Sequence, residues 1–125
     1  MNYYAESVAA YERALSKNPG DGAALLGLGK ALYGLEKYNE ALSAFQRAIQ
    51  LQATSVAYAG VGDVHTSLEH YGSALAAYDK ALRLNAGVAL NYTNFIHVLQ
   101  KVGRRGEAEQ VRERAEALGY FDDEE

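Results

Sequence analysis

The sequence predicts an all-α fold in which helix-turn-helix units repeat along a solenoid. Two sets of small residues recur at intervals of 33 or 34 residues. The first set is Ser7, Ala41, Ala74 and Ala108, and the second is Ala14, Ala48, Ala81 and Ala115. Each interval holds two segments with helical periodicity, which is the signature of a helical-repeat array. In such an array the chain length counts stacked units rather than a single globular core.

Seven helices are predicted from apolar residues spaced three or four apart. The segments are 3–17, 22–34, 38–51, 55–68, 71–84, 88–102 and a last helix that ends at residue 118. Pro19 ends the first helix because proline lacks a backbone donor, and Asp21 is suited to cap the second. Gly27 and Gly29 lower the helix propensity of the second segment. We therefore expect a close approach by the following helix there, with Gly29 near Ala41.

The repeated residues resemble the tetratricopeptide repeat, whose pattern runs Trp-x2-Leu-Gly-x2-Tyr, then Ala-x3-Phe, then a second Ala and a Pro. Its first half is matched by Leu25-x2-Leu28-Gly29-x2-Leu32, Tyr58-x2-Val61-Gly62-x2-His65 and Tyr92-x2-Phe95-Ile96-x2-Leu99. Its second half is matched by Ala41-x3-Phe45, Ala74-x3-Tyr78 and Pro19. The departures are Ala53 and Ala86 for proline, Ile96 for the small residue and Arg112 for the aromatic residue. The resemblance implies a right-handed α-solenoid whose concave surface holds an extended peptide or a partner's helix.

We expect a single domain of this kind at residues 1–121, followed by an acidic tail at 122–125. Its parts are a lone second-type helix (3–17), two repeats (22–54 and 55–88) and a C-terminal capping repeat (89–118). The cap is predicted from polar residues at the stacking positions of the last helix, namely Arg105, Glu109, Arg112 and Glu116. The first helix has no partner before it, so Ala10 and Ala14 should lie bare. Either upstream repeats have been removed or another chain covers this face.

Composition and motifs argue against several classes of function. The net charge of −4 equals the charge of the acidic tail, so the body lacks the basic surface that nucleic acid binding needs. Cysteine is absent and the three histidines are not expected to converge, so no metal or cofactor is predicted. No nucleophile motif appears, which predicts no catalytic residue and no enzyme. Neither a signal peptide nor a membrane-spanning run is visible, so a cytoplasmic protein without membrane insertion is expected.

The concave groove is the predicted ligand-binding surface, because repeat phase aligns polar and apolar side chains along it. Its residues are Leu26, Lys30, Tyr33, Ala59, Asp63, Thr66, Thr93, Asn94, His97 and Gln100. Some members of the family grip a C-terminal carboxylate with lysine and asparagine. Here Asp63 stands between Lys30 and Asn94, so no carboxylate clamp is predicted.

The sequence therefore predicts an adaptor or scaffold that binds a peptide or partner segment in this groove. Polar groove residues also fit an ordinary solvated helix surface, since exposed polar positions are the norm. The alternative function is self-assembly, in which a homo-oligomer forms through Ser7, Ala10 and Ala14 on the first helix.

Overall fold

The computed structural model describes residues 3–121, and within that range it contains seven α-helices and no strand. The helices are α1 Tyr3–Lys17, α2 Gly22–Gly34, α3 Tyr38–Leu51, α4 Ser55–Ser67, α5 Tyr71–Leu84, α6 Ala89–Lys101 and α7 Arg105–Ala117. The seven predicted helices are confirmed, and the ends of the first six differ from the prediction by at most one residue. The predicted acidic tail at 122–125 lies outside the described residues.

Side-chain caps and left-handed turns set the ends of the helices. The Asp21 carboxylate accepts a hydrogen bond from the Ala24 N–H at 3.1 Å at the start of α2, as the sequence predicts. Thr54 caps α4 in the same way. The turns after α2 and α4 pass through Glu36 and Glu69, each with φ of 63°. This left-handed geometry reverses the chain, so each hairpin closes over a few residues.

The helices pack in chain order from α1 to α7, and α2 also contacts α4. The first helices of the first two hairpins, α2 and α4, therefore lie side by side. One core cluster joins residues of α1, α2, α3 and α4, and a second joins residues of α5, α6 and α7. Each hairpin thus buries its apolar face against its neighbours, which is how a repeat array stabilises units that are too small to fold alone.

A buried ring on α3 fills the space that two glycines leave on α2 and α4. A Cβ atom added to Gly29 would lie 2.7 Å from the Phe45 ring, and one added to Gly60 would lie 2.6 Å from the same ring. Phe45 is only 2% exposed, so its ring is held between the two helices. We call Gly29, Phe45 and Gly60 the aromatic seam.

The contacts of the two α2 glycines confirm one part of the sequence prediction and correct another. At Gly29 the following helix, α3, approaches closely through the Phe45 ring, and Ala41 on that helix is fully buried. A Cβ atom on Gly27 would lie 2.2 Å from the Tyr11 ring, so the close approach there comes from the preceding helix, α1. The expectation that the following helix approaches Gly27 is therefore wrong, because a ring of α1 occupies the space beside that glycine.

On α1, residues at the repeat phases of the buried core are more accessible than their equivalents. Ala10 is exposed, whereas Ala44 and Ala77 at the same repeat phase are 3% and 5% exposed. Ser7 is half-buried. Ala14 is half-buried because it packs against the first core cluster, so the expectation that Ala14 lies bare is wrong.

After α7 the chain turns back over the last hairpin. The guanidinium of Arg112 lies 5.6 Å from the centre of the Phe121 ring. The Tyr120 and Tyr92 ring centres are 5.7 Å apart. Cation–π and tilted aromatic contacts of this kind are favourable at partly covered surfaces. They place apolar rings over part of α6 and α7.

Candidate ligand-binding cleft

A cleft of about 300 Å³ opens on the side of the fold formed by α2, α4 and α6. These are the first helices of three successive hairpins, so the cleft crosses the repeats. Its lining consists of Lys30, Tyr33, Phe45, Ser55, Val56, Ala59, Gly60, Asp63, Val88, Leu90 and Asn91. The volume lies at the lower end of the range typical of ligand pockets, and it suits one or two side chains better than a whole folded partner.

Aliphatic side chains remain accessible at the mouth of the cleft. Val56 at the start of α4 is 44% exposed, and Leu90 at the start of α6 is 63% exposed. The repeat brings both to the same end of the cleft, because each is the second residue of its helix. Covering such side chains with an apolar group of a ligand removes their surface from water, which favours binding.

Two charged residues stand further along the cleft. Lys30 on α2 is exposed, and Asp63 on α4 is half-buried. The Tyr78 hydroxyl donates a hydrogen bond of 2.5 Å to the Asp63 carboxylate. Burial raises the pKa of Asp63 and the Tyr78 hydrogen bond acts against that rise. Burial and the nearby Asp63 charge raise the pKa of Tyr78, so this phenol stays protonated and holds the carboxylate in position on the cleft wall.

Ser55 and Asn91 are the two buried polar residues among those that the structure describes, at 8% and 4% exposed, and both line the cleft. Neither side chain makes a hydrogen bond within residues 3–121. Nδ1 of His65 is the side-chain polar atom in that range that is sealed from solvent and has no hydrogen bond. The polar atoms of Ser55 and Asn91 therefore reach accessible space, and they do so at the cleft.

The structure brings four of the ten predicted groove residues together in the cleft: Lys30, Tyr33, Ala59 and Asp63. The Tyr33 hydroxyl lies 2.8 Å from the Ser67 hydroxyl, which ties α2 to α4 at one end of the cleft. Its ring centre is 5.5 Å from that of Tyr38. Tyr33 is thus a positioned wall of the cleft rather than a free side chain.

The other six predicted residues lie outside this cleft. Leu26 borders a separate depression near the start of α2. Thr93, His97 and Gln100 border another, beside Arg112 and Phe121. The Thr66 hydroxyl donates to the Gly62 carbonyl oxygen at 2.8 Å, and Asn94 is half-buried on α6. Repeat phase predicted correctly that these residues lie on α2, α4 and α6. It could not predict which of them border the cleft.

Sequence reasoning missed Ser55 and Asn91 as site residues, although a signal for Asn91 was present. Asn91 has the repeat phase of Ala24 and Ala57, which are 5% and 0% exposed. A polar amide at a position where the other repeats bury alanine is unusual, since burial of a polar group is unfavourable without a partner. Ser55 shares its phase with Gly22 and Ala89, which gives a weaker signal.

Two of the three histidines do converge, contrary to the expectation from the sequence. The ring centres of His65 and His70 are 5.7 Å apart. Within residues 3–121 no group of three or more histidine, cysteine or acidic side chains is arranged to hold a metal ion. In the same range no helix has the length and apolar character needed to cross a membrane.

Comparison with known proteins identifies the repeat. Two family models, both described as tetratricopeptide repeat, match residues 1–56 and 56–87. No curated protein sequence matches the chain.

Solved structures share the fold. A crystal structure of MamA is 23% identical with a TM-score of 0.81, and the match covers 89% of this chain and 66% of MamA. YrrB, described as a TPR protein with an unusual peptide-binding site, is 25% identical with a TM-score of 0.79, covering 85% of this chain and 55% of YrrB. The first TPR of Spaghetti (RPAP3), bound to the HSP90 peptide SRMEEVD, is 20% identical with a TM-score of 0.77, covering 80% of each chain.

The chain spans 66% of the MamA chain and 55% of the YrrB chain. These likenesses confirm the all-α helical-repeat solenoid that the sequence predicts. Together, the two matching models span residues 1–87. The chain belongs to the tetratricopeptide repeat family.

Proposed function

We propose that this protein is an interaction adaptor that binds a peptide or an extended partner segment in the cleft between α2, α4 and α6. The observation that carries the proposal is the joint presence, in one cavity, of accessible aliphatic side chains and positioned polar groups. Val56 and Leu90 offer apolar surface, while Lys30 and Asp63 offer charges of opposite sign. Recognition sites for small ligands and peptide side chains combine these two kinds of contact.

Two of the structural neighbours support this mode of binding. YrrB is described with a peptide-binding site, and the Spaghetti (RPAP3) domain was solved with a bound peptide. The lining of the present cleft argues against simple transfer of the acidic peptide SRMEEVD. Lys30 shares the cleft with the Asp63 carboxylate, which would repel an acidic ligand. We therefore propose binding without a carboxylate clamp and without catalysis.

A selection experiment tests the proposal. A phage-displayed library of random peptides is panned on the purified chain, and the enriched peptides are measured by calorimetric titration. Leu90→Asp should abolish their binding, because it places a charge at the apolar mouth of the cleft. The matched control is Leu84→Asp, which changes a leucine that is 51% exposed and outside the cleft. Peptides that bind both variants as they bind the parent would contradict the proposed site.

Self-assembly is a second candidate function, and the exposure of Ala10 favours it. Interior repeats cover the same phase, as the burial of Ala44 and Ala77 shows. A second copy of the chain that covers Ala10 would also approach Ser7 and the accessible part of the half-buried Ala14. Ala10→Glu should then reduce concentration-dependent association in sedimentation experiments, because it brings like charges together in each contact. Ala76→Glu, at another exposed helical alanine, is the control. Equal sedimentation of parent and Ala10→Glu at high concentration would remove this candidate.

A further inference from the structure

We infer that Ser55 and Asn91 bind main-chain peptide groups of an extended segment, beside an aliphatic side chain of that segment which packs against Val56 and Leu90. This inference rests on the proposed function and assigns the chemistry of its ligand. It makes Ser55 and Asn91 binding residues, and it separates them from the other polar groups of the cleft.

Ser55 and Asn91 are largely buried polar side chains without a hydrogen bond inside the described part of the protein. A buried polar group without a hydrogen bond is destabilising, and such groups are rare in folded proteins. Ser55 and Asn91 are more than nine-tenths buried, make no hydrogen bond within residues 3–121 and line the same cleft. Asp63, by contrast, is already bonded to Tyr78. The cleft side chains that are nine-tenths buried yet make no hydrogen bond within the described residues thus lie at the starts of α4 and α6, with polar atoms accessible to a ligand.

The other repeats carry alanine at the phase of Asn91. Ala24 and Ala57 fill the phase of Asn91 without any polar atom, and both are buried. Alanine is therefore compatible with the packing at this position. The asparagine adds a polar side chain that the packing does not require, at the repeat that closes the cleft.

The chemistry of the two side chains and of their neighbours indicates a peptide ligand. An asparagine amide offers a hydrogen-bond donor and an acceptor side by side, and a serine hydroxyl can donate or accept. A peptide group presents one N–H and one C=O, so it can satisfy both kinds of partner. Val56 and Leu90 follow and precede these residues in the chain, and both are accessible at the mouth of the cleft. A main-chain peptide group with an adjacent leucine-like side chain fits both surfaces, whereas a purely apolar ligand would leave Ser55 and Asn91 unsatisfied.

A minimal peptide mimic tests the inference directly. The probe is N-acetyl-leucine N-methylamide, which carries one leucine side chain between two peptide groups. Binding is followed by NMR titration of the isotope-labelled chain, with the side-chain NH₂ signals of Asn91 as the reporter. We expect these signals to shift on binding. N-acetyl-leucine methyl ester, which lacks one peptide N–H, should bind about fivefold more weakly, the effect of losing one net hydrogen bond.

Variants assign the effect to the two residues. Asn91→Ala and Ser55→Ala should each weaken binding of the mimic about fivefold, and Asn91→Ala should reduce the preference for amide over ester. Asn91→Ala should also melt at a higher temperature than the parent, so affinity and stability change in opposite directions. A merely structural asparagine would not give that combination. The matched control is Asn94→Ala, an asparagine on α6 outside the cleft, which should bind the mimic as the parent does.

Each negative result overturns a defined claim. If the Asn91 signals do not shift at the solubility limit of the mimic, the inference is wrong. The same holds if parent and Asn91→Ala bind it equally. Library peptides that require Leu90 but tolerate Asn91→Ala would leave the proposed function standing and remove this inference. Library peptides that do not require Leu90 would remove the proposed cleft itself.

Discussion

The aromatic seam and the cleft share Phe45 and Gly60, yet the seam is close-packed and the cleft is open. In the seam, two glycines leave room for one buried ring, so a close-packed contact replaces side chains that would not fit. In the cleft, aliphatic side chains stay accessible, and two largely buried polar side chains make no hydrogen bond within the described residues. The seam adds stability through contact within the protein, whereas the cleft leaves its contacts and hydrogen bonds to water or a ligand.

The contrast indicates where this small array can hold a site. The Phe45 ring packs against α2 and α4 and also lines the cleft, so the walls that these two helices form are supported by a close-packed side chain. Functional sites often break local rules of packing that the rest of a fold obeys. Substitutions in the close-packed seam and in the open cleft should therefore have different effects on stability.

The largest effect is expected at the seam. Gly60→Ala should lower the free energy of unfolding by about 2 kcal/mol, because the new Cβ would press on a buried ring that also lies against Gly29 of α2. The gain in helix propensity from glycine to alanine, about 1 kcal/mol, is included in that net value. Urea denaturation measures it. Gly72→Ala is the control, since a Cβ there meets nothing within 4 Å and should stabilise. Equal stability of Gly60→Ala and the parent would show that the ring moves freely.

Gly27→Ala should change the free energy of unfolding less than Gly60→Ala, because the ring beside Gly27 is less confined. Its Cβ would come even closer to a ring, 2.2 Å from Tyr11, but Tyr11 is only half-buried on the first helix. A partly exposed ring can turn away, so Gly27→Ala should stay within about 1 kcal/mol of the parent in the same denaturation experiment. A loss as large as that of Gly60→Ala would mean that proximity alone, rather than confinement on two sides, decides the outcome.

The cleft should respond in the opposite direction. Asn91→Ala should raise the free energy of unfolding by about 1 kcal/mol, because it replaces a largely buried amide that makes no hydrogen bond within the described residues by alanine, the better helix former and the residue that fills this phase in the other repeats. Thermal or urea unfolding provides the measurement, with Asn94→Ala compared in parallel. A destabilised Asn91→Ala would show that the amide has a structural partner, and the contrast between seam and cleft would be lost.

The smallest expected change in stability concerns Nδ1 of His65, which makes no hydrogen bond and is sealed from solvent. Burial, with a smaller contribution from the His70 charge, lowers the pKa of His65 below its ordinary value of 6.5. The unfolded chain therefore takes up this proton at a higher pH than the folded chain. Stability should fall as the pH drops through about 6.5, and the fall should end below the folded pKa.

Urea unfolding of the parent and of His65→Leu at about pH 7.5 and pH 5.5 tests this sign. Leucine occupies the same phase at Leu32 and Leu99, so His65→Leu should fold and lose this part of the pH response. The raised pKa of Asp63 acts in the opposite direction, and it is present in both proteins. His97→Gln, at an exposed histidine of α6, is the control. An identical pH response in the parent and His65→Leu would contradict the prediction.

The repeat, its family and the extent of its helices could be predicted from the order of the residues alone. Spacings of three and four residues are local, so the helix ends, the Asp21 cap and the period could be predicted without knowing any contact between helices. Repeat phase also identified Lys30, Tyr33, Ala59 and Asp63 as residues of one surface. These successes concern the order of residues along each helix and the phase that they share.

Which atoms contact each other depends on how the helices pack, and the sequence pattern did not predict it. Gly27 receives a ring from the preceding helix and Gly29 from the following one, a difference that depends on how each helix is rotated about its axis. The Tyr78 hydroxyl reaches Asp63, while Ser55 and Asn91 remain unbonded at the cleft. Such contacts join residues far apart in sequence and depend on the depth and rotamer of each side chain, which a local period of 3.6 residues does not specify.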